Sequence, residues 1–213
     1  PEKVGLLMRS YARNLATQAS LETIAADMQA NEPKKMDTDT VSSYISALAK
    51  LFVVEESKAW NPNLRSKTAI RTSNTRYYTD PSIGTASLSI GPKDLENDLN
   101  TFGYFFETLA IRDLRTYAEA LMGEVAHYRD ADKLECDAVV HLRDGRYGLI
   151  EIKLGGEALI KEGVKSLTAL KNKLDTTKMN KPSFLMVLTG VGSIAYRRPE
   201  DGIYVVPIGC LKP

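Results

Sequence analysis

Two carboxylates and a lysine at short, regular spacings carry the most chemistry in this chain. Asp137 lies in the run 134–142, and Glu151 and Lys153 lie in the run 147–154. Hard oxygen donors of this kind suit Mg²⁺, which keeps several of its waters and needs only one or two carboxylates. Such an ion generates hydroxide and stabilises charge developing on a phosphoryl group, while a lysine at position 153 orients the water or neutralises that charge. Glu107, on an upstream helical run, is a fourth candidate. The competing reading is a ladder of opposite charges across an exposed sheet face, because Glu-X-Lys is a common strand pattern. His127 and His141 are not assigned as general bases. His141 is four residues from Asp137, about 13 Å along a strand, and both histidines are expected at the surface.

The elements that must position these groups follow from periodicity. In 134–142 the even positions Leu134, Cys136, Ala138, Val140 and Leu142 are apolar, which sets Glu135, Asp137, Val139 and His141 on the other face. In 147–154 Ile150, Ile152 and Leu154 are apolar, so Glu151 and Lys153 share the odd face. Whether the two charged faces coincide depends on the connection Arg143-Asp144-Gly145-Arg146. A two-residue Asp144-Gly145 turn pairs Asp137 with Ile152 and separates the acids. A three-residue loop through Arg146 pairs Asp137 with Lys153 and Val139 with Glu151, and this odd loop, or an equivalent bulge, is expected. On the helix predicted over 102–121, Glu107 shares a side with Leu114 and Ala118, although Asp113 falls in the same arc. Further strands are predicted at 125–129, 184–189 and 204–208, with a helix over 157–174. The order is that of an α/β domain.

Upstream, three helices are predicted. Leu7, Met8, Tyr11 and Leu15 mark the first, Leu21, Ile24, Ala25 and Met28 the second, capped by Ser20, and Val41, Tyr44, Ile45, Leu48 and Leu51 the third. A strand at 52–55 and a long turn-rich hairpin follow, the order of a winged helix. Between positions 57 and 79, Lys58, Arg65, Lys67, Arg71 and Arg76 occur without an acid and are interleaved with Trp60, Tyr77 and Tyr78, a nucleic-acid-binding composition. Against it, the outward face of the third helix offers one lysine and several serines, and a helical packing module explains the same pattern. Pro81, Gly84, Gly91 and Pro92 mark a connecting segment. The expected division is therefore a winged-helix module over 1–80, a connector over 81–101 and an α/β domain over 102–213.

Composition narrows the function. Twenty-eight Lys and Arg against 27 Asp and Glu leave a formal charge of +1, so any basic binding surface must be local. The two cysteines, Cys136 and Cys210, form no CxxC pair, which favours a reducing, cytoplasmic setting over a disulfide framework or structural zinc. No run approaches a membrane span, and no GxxxxGK[ST] loop offers an ATP site. The opening Pro1 suggests a cut N terminus.

Gly103-Tyr104-Phe105-Phe106-Glu107, Tyr128-Arg129-Asp130, Glu135-Cys136-Asp137 and Glu151-Ile152-Lys153 resemble the ordered motifs of domain of unknown function 4143. Ser10-Tyr11-Ala12-Arg13-Asn14, the segment 40–45, 51–56 and the run 60–65 resemble the same family, so nearly the whole chain is covered. The family is the C-terminal part of bacterial and archaeal P-loop ATPases. The resemblance implies an AAA-type ATPase domain upstream, then a winged helix and a domain of the PD-(D/E)XK restriction-endonuclease-like class. It places Glu107, Asp137, Glu151 and Lys153 at that class's acid and lysine positions, with Cys136 a mild departure. The leading expectation is an accessory half of a prokaryotic ATPase that cuts DNA with Mg²⁺. A catalytically inactive DNA-binding or protein-docking scaffold is the alternative, and a self-associating structural element a third. DNA, RNA and protein partners are not separated by the sequence.

Overall fold

Short polar side chains start the helices of the N-terminal part. The computed structural model describes residues 2–29, 37–62 and 73–211. Asp37 accepts the amide of Asp39 and caps α3 (Thr38–Lys50), and Ser20 Oγ accepts the amide of Thr23 at the head of α2 (Leu21–Gln29). With α1 (Glu2–Arg13) they bury Leu7, Tyr11, Ile24, Met28, Val41 and Ile45 in one core. Phe52 adopts a left-handed φ of 56° after α3, so the expected strand opens later, at β1 (Val54–Ser57). It pairs antiparallel with β2 (Thr75–Tyr78), whose four residues are all buried.

Burial of β2 corrects the expected basic wing at Arg76. Arg76 stands directly opposite Glu56, and its guanidinium donates to Glu56 Oε1 at 2.6 Å and to the Ala19 carbonyl at 2.8 Å. A cross-strand carboxylate uses the charge inside the fold. Tyr77 and Tyr78, expected as partners of that wing, are each 1% exposed. Lys58 is exposed, and Arg65, Lys67 and Arg71 lie outside the described residues.

The expected connector holds two helices, α4 (Pro81–Leu88) and α5 (Pro92–Asn97). Each has its proline in the first turn, where the missing N–H is no loss. Asp80 caps α4 through the Ser82 amide at 2.8 Å, and the Gly91 amide donates to Asp94. Gly84 is required by packing: a Cβ there would lie 2.7 Å from the Phe105 ring and 3.2 Å from Tyr78. Two compact units result, Pro1–Ser57 with Ser73–Leu109, and Lys58–Thr72 with Ala110–Pro213. The helix α6 (Leu99–Ala120) begins in the first and ends in the second.

In the second unit β3 (Gly123–Arg129), β4 (Glu135–Leu142) and β5 (Tyr147–Lys153) form an antiparallel meander. A crossover through α7 (Glu157–Lys173) returns the chain to β6 (Phe184–Thr189), parallel to β5. β7 (Tyr196–Arg197) and β8 (Tyr204–Pro207) complete a sheet of order β3-β4-β5-β6-β8-β7. Leu167 and Leu170 of α7 pack on Cys136, Val139, Leu149 and Val187. Trp60 joins this cluster, 5.1 Å from the Tyr147 ring and 6.2 Å from Tyr128, while the Lys58 carbonyl and Trp60 amide bond to His127 in β3. His127 is therefore 4% exposed, not the surface residue expected. The whole is a mixed α+β protein. Among the described residues no helix is long and apolar enough to cross a membrane.

Candidate active site

The face shared by Asp137 and Glu151 is set by the β4–β5 hairpin. Its loop is Arg143-Asp144-Gly145, closed by Leu142 N–H to the Arg146 carbonyl at 2.8 Å, with Gly145 at φ 85°. A three-residue hairpin with glycine in the left-handed position keeps the odd parity anticipated. Its register is one pair away from the expected one. Val139 pairs with Leu149, not Glu151, and Ala138 with Ile150, the last pair of the ladder.

A bulge then re-aims β4. Between Ala126 and Tyr128 β3 advances two residues, whereas its partners Val139 and Cys136 are three apart, so the extra residue lies in β4 at Asp137–Ala138. One added residue reverses side-chain phase. Cys136 consequently packs with Val139 and Leu149 under α7, not on the even-numbered face predicted. Past Ala138 the ladder stops, and the Ile152 amide donates to Asp137 Oδ2 at 2.7 Å.

Asp137, Glu151 and Lys153 come together here. Lys153 Nζ is 2.9 Å from Glu151 Oε2 and 3.8 Å from Asp137 Oδ2. Glu151 is 3% exposed. Burial, then the negative charge of Asp137, pushes its pKa up from 4.5 to about 8. Burial also raises Asp137, against the pull of Lys153 and the Ile152 amide. Burial opposes the charge on Lys153, but the two carboxylates outweigh it and raise its pKa. Lys153 is a held cation and not a base at neutral pH.

Glu107 lies in the first unit, where it accepts the Tyr77 hydroxyl at 2.6 Å. Glu162, which is not among the candidates that the sequence offers, acts electrostatically on Asp137, Glu151 and Lys153. Its one signal in the sequence is the neighbouring Gly163, a mid-helix glycine of the kind that often marks close packing. Among the described residues no three His, Cys, Asp or Glu side chains are grouped to hold a metal ion. Asp137 and Glu151 nonetheless fit Mg²⁺ chemically, as two hard donors whose mutual repulsion a divalent cation would relieve.

A pH dependence follows. Between about pH 4.5 and 8 native Glu151 holds a proton that the unfolded chain releases, so stability falls as pH rises through this window. In metal-free buffer the loss should be a few kcal/mol, at about 1.4 kcal/mol for each pH unit of the window. Urea titrations from pH 5 to 9 should show it in the parent chain and a flatter profile in Glu151→Gln; parallel profiles would place the proton elsewhere.

The fold and the site define a mixed α+β protein with two acids and a lysine gathered on adjacent strands. Residues 102–211, just over half of the chain, match the family described as Domain of unknown function (DUF4143), and the chain belongs to that family. Residues 1–94 match a second family, Domain of unknown function (DUF8612). No curated protein and no solved structure matches the chain.

Proposed function

We propose that the C-terminal domain is of the PD-(D/E)XK type and hydrolyses phosphodiester bonds of DNA with Mg²⁺. The observation that carries this reading is Lys153 Nζ poised beside two carboxylates from adjacent strands, 2.9 and 3.8 Å away. Asp137 and Glu151 would hold the ion, which when bound supplies an activated water and charge neutralisation. Lys153 keeps its proton and presents positive charge to the phosphate oxygens. Glu107 is retained as the acid that the resemblance assigns to this class. The segment from α1 to β2, with three helices and a two-stranded sheet, is read as a winged helix that helps hold DNA. An ATPase domain upstream in the full-length protein would deliver the substrate, in the cytoplasm.

The test is conversion of supercoiled plasmid to nicked circle by the purified chain with Mg²⁺ or Mn²⁺. Slow nicking that EDTA stops is expected, because the delivering ATPase is absent. A second reading, an inactive scaffold, is favoured by the direct Lys153–Glu151 ion pair, which already satisfies the acid within the protein. It would take precedence if nicking did not depend on metal.

DNA binding by the basic segment is tested separately. Neutralising Lys58, Arg65 and Lys67 together should weaken duplex binding and reduce the slope of log K against log salt by about 0.9 for each phosphate no longer neutralised. An unchanged slope would move the DNA to another surface.

A further inference from the structure

The turn that ends α3 puts a bulky residue where glycine is usual. The Val53 amide donates to the Leu48 carbonyl at 2.9 Å and the Phe52 amide to the Ala49 carbonyl at 3.0 Å, the pair of bonds that closes a helix when the residue after its cap is left-handed. That residue is Phe52, at φ 56°. A side chain is disfavoured in this region, a bulky one especially, and glycine is the ordinary occupant. Thr79 Oγ1 donates to the Phe52 carbonyl at 2.6 Å and fixes the backbone there. The ring gains no burial in return, being 81% exposed beside Leu51 at 70%. Backbone held in an unfavourable region so as to display an apolar ring to solvent points to recognition, not to packing.

Phe52 lines a cleft of about 580 Å³ formed by α2, α3 and the β1–β2 hairpin, within the usual size range of ligand sites. Leu21, Ile45, Ala49 and Val54 give it apolar surface, with Ser42 and Ser46 of α3 beside them. Among the described residues lining it, the charges are two carboxylates, Glu55 and Glu56, against one guanidinium. That guanidinium, Arg76, is already held by Glu56 at 2.6 Å and by the Ala19 carbonyl at 2.8 Å. This balance disfavours a phosphate backbone and favours a partner that brings its own positive charge. We propose that the cleft beside α3 docks a peptide segment of a partner protein in which an aromatic or branched apolar side chain is flanked by lysine or arginine. The apolar residue packs on Phe52 and the cleft walls, and the base pairs with the glutamates. The acids on β4 and β5 take no part.

Selection of a random displayed peptide library on the immobilised full chain, followed by fluorescence anisotropy with the selected peptides, tests it. Peptides with an apolar residue next to lysine or arginine should be enriched. Phe52→Gly should weaken their binding by about thirtyfold or more, the effect of losing an aromatic anchor, while its thermal midpoint stays level or rises as the left-handed strain is relieved. Ser46 is exposed on α3, so Ser46→Lys should weaken binding about twofold to fivefold and Ser46→Glu strengthen it by a similar factor. Enrichment of acidic peptides or of none, or equal binding by Phe52→Gly and the parent, would overturn the inference. So would a midpoint of Phe52→Gly more than about 2 °C below the parent, which would give the ring a packing role. Displacement of the peptide by duplex DNA, with Phe52→Gly weakening DNA binding equally, would overturn it in favour of a nucleic-acid face.

Discussion

Glu151→Ala is expected to lower metal-dependent plasmid nicking by at least about a hundredfold, the scale on which removal of one preorganised charge-stabilising group acts. The chain should stay folded. Removing Glu151 relieves its repulsion with Asp137 and leaves Lys153 a carboxylate 3.8 Å away. Lys153→Ala should cost a similar factor in rate yet spare Mn²⁺ affinity, because both oxygen donors survive and only the cation is removed. Asp137→Ala should do the reverse, weakening the metal first. It also orphans the Ile152 amide, so some loss of stability accompanies it. Nicking assays paired with Mn²⁺ titrations separate these patterns. Equal cleavage by the parent and Glu151→Ala would assign the activity to a contaminant and leave the scaffold reading.

The largest effect on stability is expected at Leu149. It is fully buried in the central strand of the sheet, among Cys136, Val139, Leu167, Leu170 and Val187. Leu149→Ala removes that packing and leaves a cavity where β5 and α7 meet, a loss of about 3 to 4 kcal/mol. Ile194→Ala is the control. Ile194 is 75% exposed, and its replacement should change stability by no more than about 0.5 kcal/mol. Urea midpoints at constant m-value measure both. A Leu149→Ala chain within about 1 kcal/mol of the parent, well below the usual cost of such a truncation, would mean that α7 does not seal this face.

Much of the C-terminal unit is legible in the residues because its strands alternate cleanly. The apolar Ile150 and Ile152 put Glu151 and Lys153 on one face, and the strand predicted at 184–189 matches β6 to the residue. The bulge in β4 is not legible. It arises from pairing with β3, and the even run from Leu134 to Leu142 reads as an unbroken strand. The Asp144-Gly145 signal identifies the hairpin but not its frame, since two- and three-residue loops both use such a pair. Arg76 reads as a free basic residue because its partner Glu56 is twenty positions away in sequence and opposite only once β1 and β2 pair. Trp60 misleads for a similar reason, its ring meeting Tyr147 only after the chain runs beside β3. Pro81 and Pro92 suggest breaks but are helix starts, with Asp80 and Asp94 in capping positions beside them. The two-residue β7 is too short to show a period.

Crystals of the chain soaked in Mn²⁺, with the ion located by its anomalous scattering, test the central claim most directly. A single strong peak within ligand distance of both the Asp137 and Glu151 carboxylates, with Lys153 Nζ nearby and not ligating, is the expected result. An Mn²⁺ ion bound elsewhere while Lys153 keeps its 2.9 Å contact with Glu151 would contradict it.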